Sequence, residues 1–140
     1  MIESVAVIGA GTMGNGIAHV FALAGFKVNL IDVSQQQLGV AMQLISKNLD
    51  RQVSKNIISV EVKSETLSRI SNFTSLASGV QNVELVVEAA TENIDLKMKI
   101  FKQIDDEAPE NCILATNTSS ISITKIASAT KRAQLVIGMH

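Results

Sequence analysis

Val7-Ile8-Gly9-Ala10-Gly11-Thr12-Met13-Gly14 leads into an apolar-periodic stretch, and Asp32 closes the run Lys27-Val28-Asn29-Leu30-Ile31-Asp32 that follows it. The first glycine permits a tight turn out of a strand, and the second lets backbone N–H groups approach a pyrophosphate. The third lets the next helix pack closely on that strand. Anion affinity follows from the helix start, whose first N–H groups lack intrahelical partners and where the macrodipole places partial positive charge. Ser4 to Ile8 reads as the strand that precedes the turn. Thr12 to Ala24 reads as the helix after it, with Met13, Ile17, Val20, Phe21 and Ala24 on its apolar positions and Gly25 as its stop.

Asp32 stands about twenty residues past the glycines, at the end of a second strand, where a carboxylate accepts hydrogen bonds from the ribose hydroxyls of an adenosine. A 2′-phosphate there would be repelled, and Val33-Ser34-Gln35-Gln36-Gln37 holds no Arg or Lys to neutralise it. The pattern therefore predicts NAD binding in preference to NADP. The competing reading places Asp32 at the start of the next helix, where Ser34 and Gln37 form a capping box.

The rest of the chain agrees with that start. Its 140 residues suffice for a single domain with an aliphatic core, since Trp and Tyr are absent and Phe occurs four times. Twelve basic against thirteen acidic side chains, with no Lys/Arg stripe among aromatics, argue against nucleic acid as a partner. Cys112 is the single cysteine, so no intrachain disulfide is available, and it reads as a small buried residue near a strand start. The first strand begins within four residues and no apolar run approaches a membrane span. The expectation is a cytoplasmic protein with neither signal peptide nor membrane partner.

Further along, Ser34 to about Ser54 carries Leu38, Met42, Ile45, Leu49 and Val53 at helical spacing. A loop and a short helix around Ser64 to Leu67 follow, then a strand over Arg69 to Thr74. Leu85 to Ala90 is a nearly continuous apolar run suited to a central strand buried on both faces. Asn93 caps a helix ending at Pro109, Cys112 to Thr116 forms the next strand, Ser122 to Ser128 a helix, and Leu135 to Gly138 the last strand. The alternation predicts an α/β fold of the Rossmann type: a doubly wound parallel sheet of order 3-2-1-4-5-6 with right-handed crossovers. Ligands of such a sheet lie outside the carboxyl ends of the strands, which directs attention to Gly9, Asp32, Ala89 to Glu92, Asn117 to Ser119 and Met139-His140.

At those strand ends the sequence closely resembles the 3-hydroxyacyl-CoA dehydrogenases, particularly the bacterial 3-hydroxybutyryl-CoA type. The resemblance is carried by Gly9-Ala10-Gly11-Thr12-Met13-Gly14-Asn15-Gly16, Val87-Glu88-Ala89-Ala90-Thr91-Glu92-Asn93, Asn117-Thr118-Ser119-Ser120-Ile121 and Gly138-Met139-His140. It implies that His140 moves the proton of the substrate's 3-hydroxyl while hydride passes between C3 and NAD, in fatty acid or butanoate metabolism. An imidazole suits the task because its ordinary pKa lies near neutrality. It further implies that Ser119 hydrogen-bonds the reacting oxygen and that Gly9, Gly11, Thr12, Met13, Gly14, Asp32 and Ala89 hold the cofactor. Glu92, Lys97 and Asn117 would line its nicotinamide end, and Asn48 and Lys55 would contact coenzyme A. Asn48 stands where a serine is common, which makes Lys55 the firmer of the two.

Blander roles exist for several of these residues. Ser119 could cap the following helix, Glu92 and Lys97 could be an exposed pair, and Lys55 could be a solvated charge. Members of the family continue into an Asn-Pro motif, a glutamate that orients the imidazole, and a helical domain forming the acyl-CoA pocket and dimer interface. Residues 1–140 correspond to the NAD-binding domain without that second part. The expectation is a domain that binds NAD and turns over 3-hydroxyacyl-CoA negligibly alone, with a homodimer expected for the full-length enzyme. Three alternatives compete: an NAD-binding sensor domain without chemistry, an S-adenosylmethionine methyltransferase, and a 3-hydroxyacid-type dehydrogenase using a lysine on a later helix.

Overall fold

The computed structural model describes residues 2–117 and 120–139, the side chains of 120 and 121 excepted. Six parallel strands form one sheet: β1 (Ser4–Ile8), β2 (Lys27–Ile31), β3 (Ile70–Phe73), β4 (Leu85–Glu88), β5 (Ile113–Thr116) and β6 (Val136–Gly138), in the order β3-β2-β1-β4-β5-β6. Strand order reverses between β1 and β4, where Ile8 pairs with Ile31 on one side and Glu88 on the other. The sheet and its order are those the alternation predicts.

Alternation of side chains along the strands divides the core between two faces. Val5, Val7, Val28, Leu30 and Val87 pack against α1 (Thr12–Leu23) and α2 (Gln35–Ser54) through Ala18, Ala22, Leu38, Ile45 and Leu49. Ala6, Ile8, Ile31, Val86 and Leu114 pack on the other side, against Val80 of α4 (Leu76–Val80), Phe101 and Ile104 of α5 (Ile94–Glu107) and Ile126 of α6 (Ser120–Ala127). Each large aliphatic or Phe side chain so buried contributes about 1.5–3 kcal/mol.

Gly25 ends α1 in the left-handed region, φ +106°, where a glycine is cheap. The segment before β3 differs from the sequence reading. A full helix, α3 (Val60–Ser68), replaces the short one around Ser64, because the Ser59 hydroxyl accepts the Val62 N–H and starts it earlier. The five-residue α4, capped in the same way by Ser75, is an element the periodicity does not reveal.

Arg132 locks the far edge of the sheet. Its guanidinium donates to Asp105 Oδ1 (2.6 Å) and to the carbonyls of Pro109 (2.6 Å), Cys112 (3.2 Å) and Asp105 (2.9 Å). One side chain thus joins the end of α5, the entry to β5 and the connection into β6. Beside it, burial pushes the Cys112 thiol up to about 11, against the opposing pull of Arg132 and with Glu84 adding to the rise. We therefore expect Cys112 to resist iodoacetamide at pH 8 in the native protein and to react once urea unfolds it; labelling followed by mass spectrometry checks this.

Candidate dinucleotide site

The site grows from the exit of β1. Gly9 N donates to Ile31 O (2.7 Å), so the chain turns directly over the end of β2, and Gly9 takes φ +101° to do it. A Cβ on Gly9 would lie 2.7 Å from Ala90 Cα and 2.8 Å from the Ala89 carbonyl oxygen. The turn is thus pressed against the β4–α5 loop. A Cβ on Gly14, one turn into α1, would overlap the Gly9 carbonyl oxygen. Two of the three glycines are therefore fixed by backbone approach, as the spacing predicts.

The start of α1 is distinctive in its capping. Among the described α-helix N-caps, Ser34, Ser59, Ser75 and Asn93 each close their helix with a side-chain acceptor, whereas Gly11 offers none to α1. The amide hydrogens of the first turn of α1 are left for another acceptor, at the positive end of a twelve-residue helix with no acid in its first turn.

Asp32 follows β2 and braces the turn. Its Oδ2 accepts the Ala10 N–H (2.9 Å) and its Oδ1 the Ser34 N–H (2.9 Å). The two readings of this acid merge. Asp32 stands at the strand end, and it also takes the N–H that the third residue of a capping box would have satisfied. Gln37 instead donates to Ala10 O (3.3 Å), while its own N–H still binds the Ser34 hydroxyl (3.1 Å). A carboxylate has about four acceptor positions, so two remain on Asp32.

A cleft of about 780 Å³ opens beside these groups. Gly9, Gly11, Asp32 and Ala89, all sequence-predicted, line it together. Gln37, Ser75, Leu76, Leu96 and Ile100 complete its walls, and the sequence reading assigns no site role to any of them. Gly14 is buried beneath the turn. Thr12, Met13 and Asn117 meet in a neighbouring apolar groove, with Asn117 Nδ2 against Met13 Sδ and Ile17, Val20, Phe21 and Met139 around them.

Other predicted residues stand elsewhere. Glu92 is exposed in the β4–α5 loop, while Lys97 is buried and ion-paired with Glu88, not with Glu92. Asn48 and Lys55 lie along α2 away from the cleft. Lys55 is the exposed C-cap, about 30 Å down the helix axis from Ser34 at 1.5 Å per residue. Ser119 and His140 fall outside the described residues. Among the described residues no cluster of His, Cys, Asp and Glu could hold a metal, and no helix is long and apolar enough to cross a membrane.

Comparison with known proteins agrees with this fold. Residues 4–140 match the family described as "3-hydroxyacyl-CoA dehydrogenase, NAD binding domain". A 3-hydroxybutyryl-CoA dehydrogenase of Bradyrhizobium diazoefficiens is 48% identical over 140 residues, covering 100% of this chain and 47% of the relative. The mitochondrial hydroxyacyl-coenzyme A dehydrogenase of Rattus norvegicus is 41% identical over 145 residues, covering 100% and 46%. Among solved structures, the (S)-3-hydroxybutyryl-CoA dehydrogenase of Ralstonia eutropha superposes with a TM-score of 0.95 at 46% identity, over 100% of this chain and 49% of that one. The chain spans about half the length of these relatives.

Proposed function

Because the chain belongs to the 3-hydroxyacyl-CoA dehydrogenase family, as its NAD-binding domain, we propose that it is the cofactor half of an enzyme oxidising a 3-hydroxyacyl-CoA, 3-hydroxybutyryl-CoA above all. The observation that carries the reading is the uncapped start of α1 beside the braced carboxylate of Asp32. NAD supplies the hydride acceptor at its nicotinamide ring. Everything else falls to side chains and backbone.

The residues present fit a dinucleotide. Two glycines sit where a Cβ would meet backbone, which leaves the turn low enough for a diphosphate to reach the free N–H groups of α1. Asp32 keeps acceptor capacity for ribose hydroxyls, and among the described residues lining its cleft there is no Lys or Arg to favour a 2′-phosphate. Leu76, Leu96 and Ile100 offer the apolar wall that an adenine requires. At the other end Asn117 and Glu92 border the nicotinamide, Ser119 orients the reacting oxygen, and His140 takes the hydroxyl proton, as the resemblance implies, while Lys97, which it also assigns there, is buried behind the loop against Glu88. Lys55, exposed at the end of α2, and Asn48 are the assigned contacts for coenzyme A, again from the resemblance.

A second, substrate-binding half completes the enzyme in this reading, with a homodimer in the cytoplasm as its assembled form. What supports the division is the groove of about 660 Å³ beside α1, where Met13 and Val20 are more than half exposed in an apolar setting.

The test is a titration of NADH and NADPH into this chain, with NADH production from 3-hydroxybutyryl-CoA measured on the full-length protein. Asp32→Asn is expected to weaken NADH binding by about 10–100-fold, the worth of hydrogen bonds to a charged acceptor, and to leave NADPH unchanged or tighter. An unaltered preference in that variant would remove Asp32 from cofactor selection.

A further inference from the structure

Glu88 is the last residue of β4, fully buried between β1 and β5 at the point where strand order reverses. Its Oε1 pairs with the ammonium of Lys97, itself 1% exposed, and receives the Thr116 hydroxyl at 3.4 Å. Its Oε2 accepts the N–H groups of Ala90 (2.8 Å) and Thr91 (3.2 Å). Four donors fill the acceptor positions of one carboxylate, so Glu88 has nothing left for a ligand.

A buried ion pair is a poor device for stability alone, since a well-packed apolar pair of similar volume serves equally or better. What this pair does is local. The two N–H groups it holds belong to the loop that walls the cleft opposite the glycine turn, where Ala90 and Ala89 would touch any Cβ on Gly9. Ala89 N is tied to Ile8 O (2.8 Å) at the base of the same wall. The position of the wall therefore depends on a carboxylate behind it.

We propose that Glu88 is a positioning residue for the dinucleotide: it holds, from one buried carboxylate, the 89–91 loop facing Gly9 and the ammonium of Lys97 at the start of α5. The proposal rests on the NAD reading and adds that affinity for the part of the cofactor beyond the adenosine is set through this pair. Gln in place of Glu88 keeps the shape but offers a single acceptor oxygen, and its amide N–H₂ must confront either Lys97 or the loop amides.

The experiment compares NADH and AMP binding to the parent and to Glu88→Gln, by fluorescence and calorimetric titration well below the melting temperature. AMP fills the Asp32 end and its apolar wall of Leu76, Leu96 and Ile100 but lacks everything beyond the first phosphate. The expected result is NADH affinity lowered at least tenfold with AMP affinity changed less than twofold. A role confined to stability would leave both affinities in place, and a general collapse of the cleft would weaken both alike; either outcome overturns the proposal. Should Glu88→Gln not fold, the apolar double variant Glu88→Leu with Lys97→Met supplies the same comparison, and NADH binding there within twofold of the parent overturns it too. A parent chain that binds no NADH removes the cofactor reading, and this inference falls with it.

Discussion

Gly14→Ala lowers NADH affinity by at least ~100-fold and stability by about 2 kcal/mol, whereas Gly16→Ala in the same helix raises stability by about 0.5–1 kcal/mol. Both changes replace glycine by the best helix former, so propensity favours each equally. They part on what the new methyl meets. At Gly14 it overlaps the carbonyl oxygen of Gly9, and backbone cannot rotate aside as a flexible side chain would, so α1 must lift from β1. Lifting α1 moves its free N–H groups away from the turn and tilts Ala10 away from Asp32, which takes the diphosphate and ribose contacts together. At Gly16 nothing lies within 4 Å of the added atom. Thermal melts and NADH titrations on the two variants check the contrast, and equal behaviour would mean that α1 does not owe its seat to Gly14.

The second large effect lies far from the cofactor. Arg132→Ala costs about 3–5 kcal/mol, seen as a melting temperature lower by about 10 °C or more. The change strips the charged partner from Asp105, whose side chain is 6% exposed and keeps only the Lys131 N–H, and it removes a donor from the carbonyl of Cys112 and one of two from that of Pro109. Arg132→Lys recovers only part of the loss, because an ammonium cannot serve a carboxylate and several carbonyls from one planar fork. NADH affinity measured in the cold stays near the parent value. A loss under about 1 kcal/mol would show that the edge is held by packing alone.

Those two residues mark what was legible in the sequence and what was not. Gly14 announces itself because the turn, the strand before it and the acid after it are all local, and each has one physical purpose. The same holds for Ser34 and Asn93, whose caps are written within three residues of the helices they start. Arg132 gives no local signal, since its partners lie 20 to 27 positions back and meet only when α5 and β5 are in place. Lys97 misleads for the same reason. Along the sequence Glu92 and Asp95 both stand nearer to it, yet β4 delivers Glu88, and a lone acid in the apolar run from Leu85 is the sole trace of that pairing. The apolar wall of the cleft, Leu76, Leu96 and Ile100, is invisible beforehand because it joins two helices, one of them only five residues long.

The glycine turn described above is held by the chain's own groups: Ile31 receives its first amide, Asp32 its second, and Gln37 reaches its carbonyl. A segment rich in glycine would otherwise forfeit much freedom on meeting a ligand, at about 1–2 kcal/mol per residue immobilised. Here that entropy was surrendered when the chain folded. A diphosphate seated on this turn would therefore meet a shape already cast, with little of the attraction consumed in moulding the receptor.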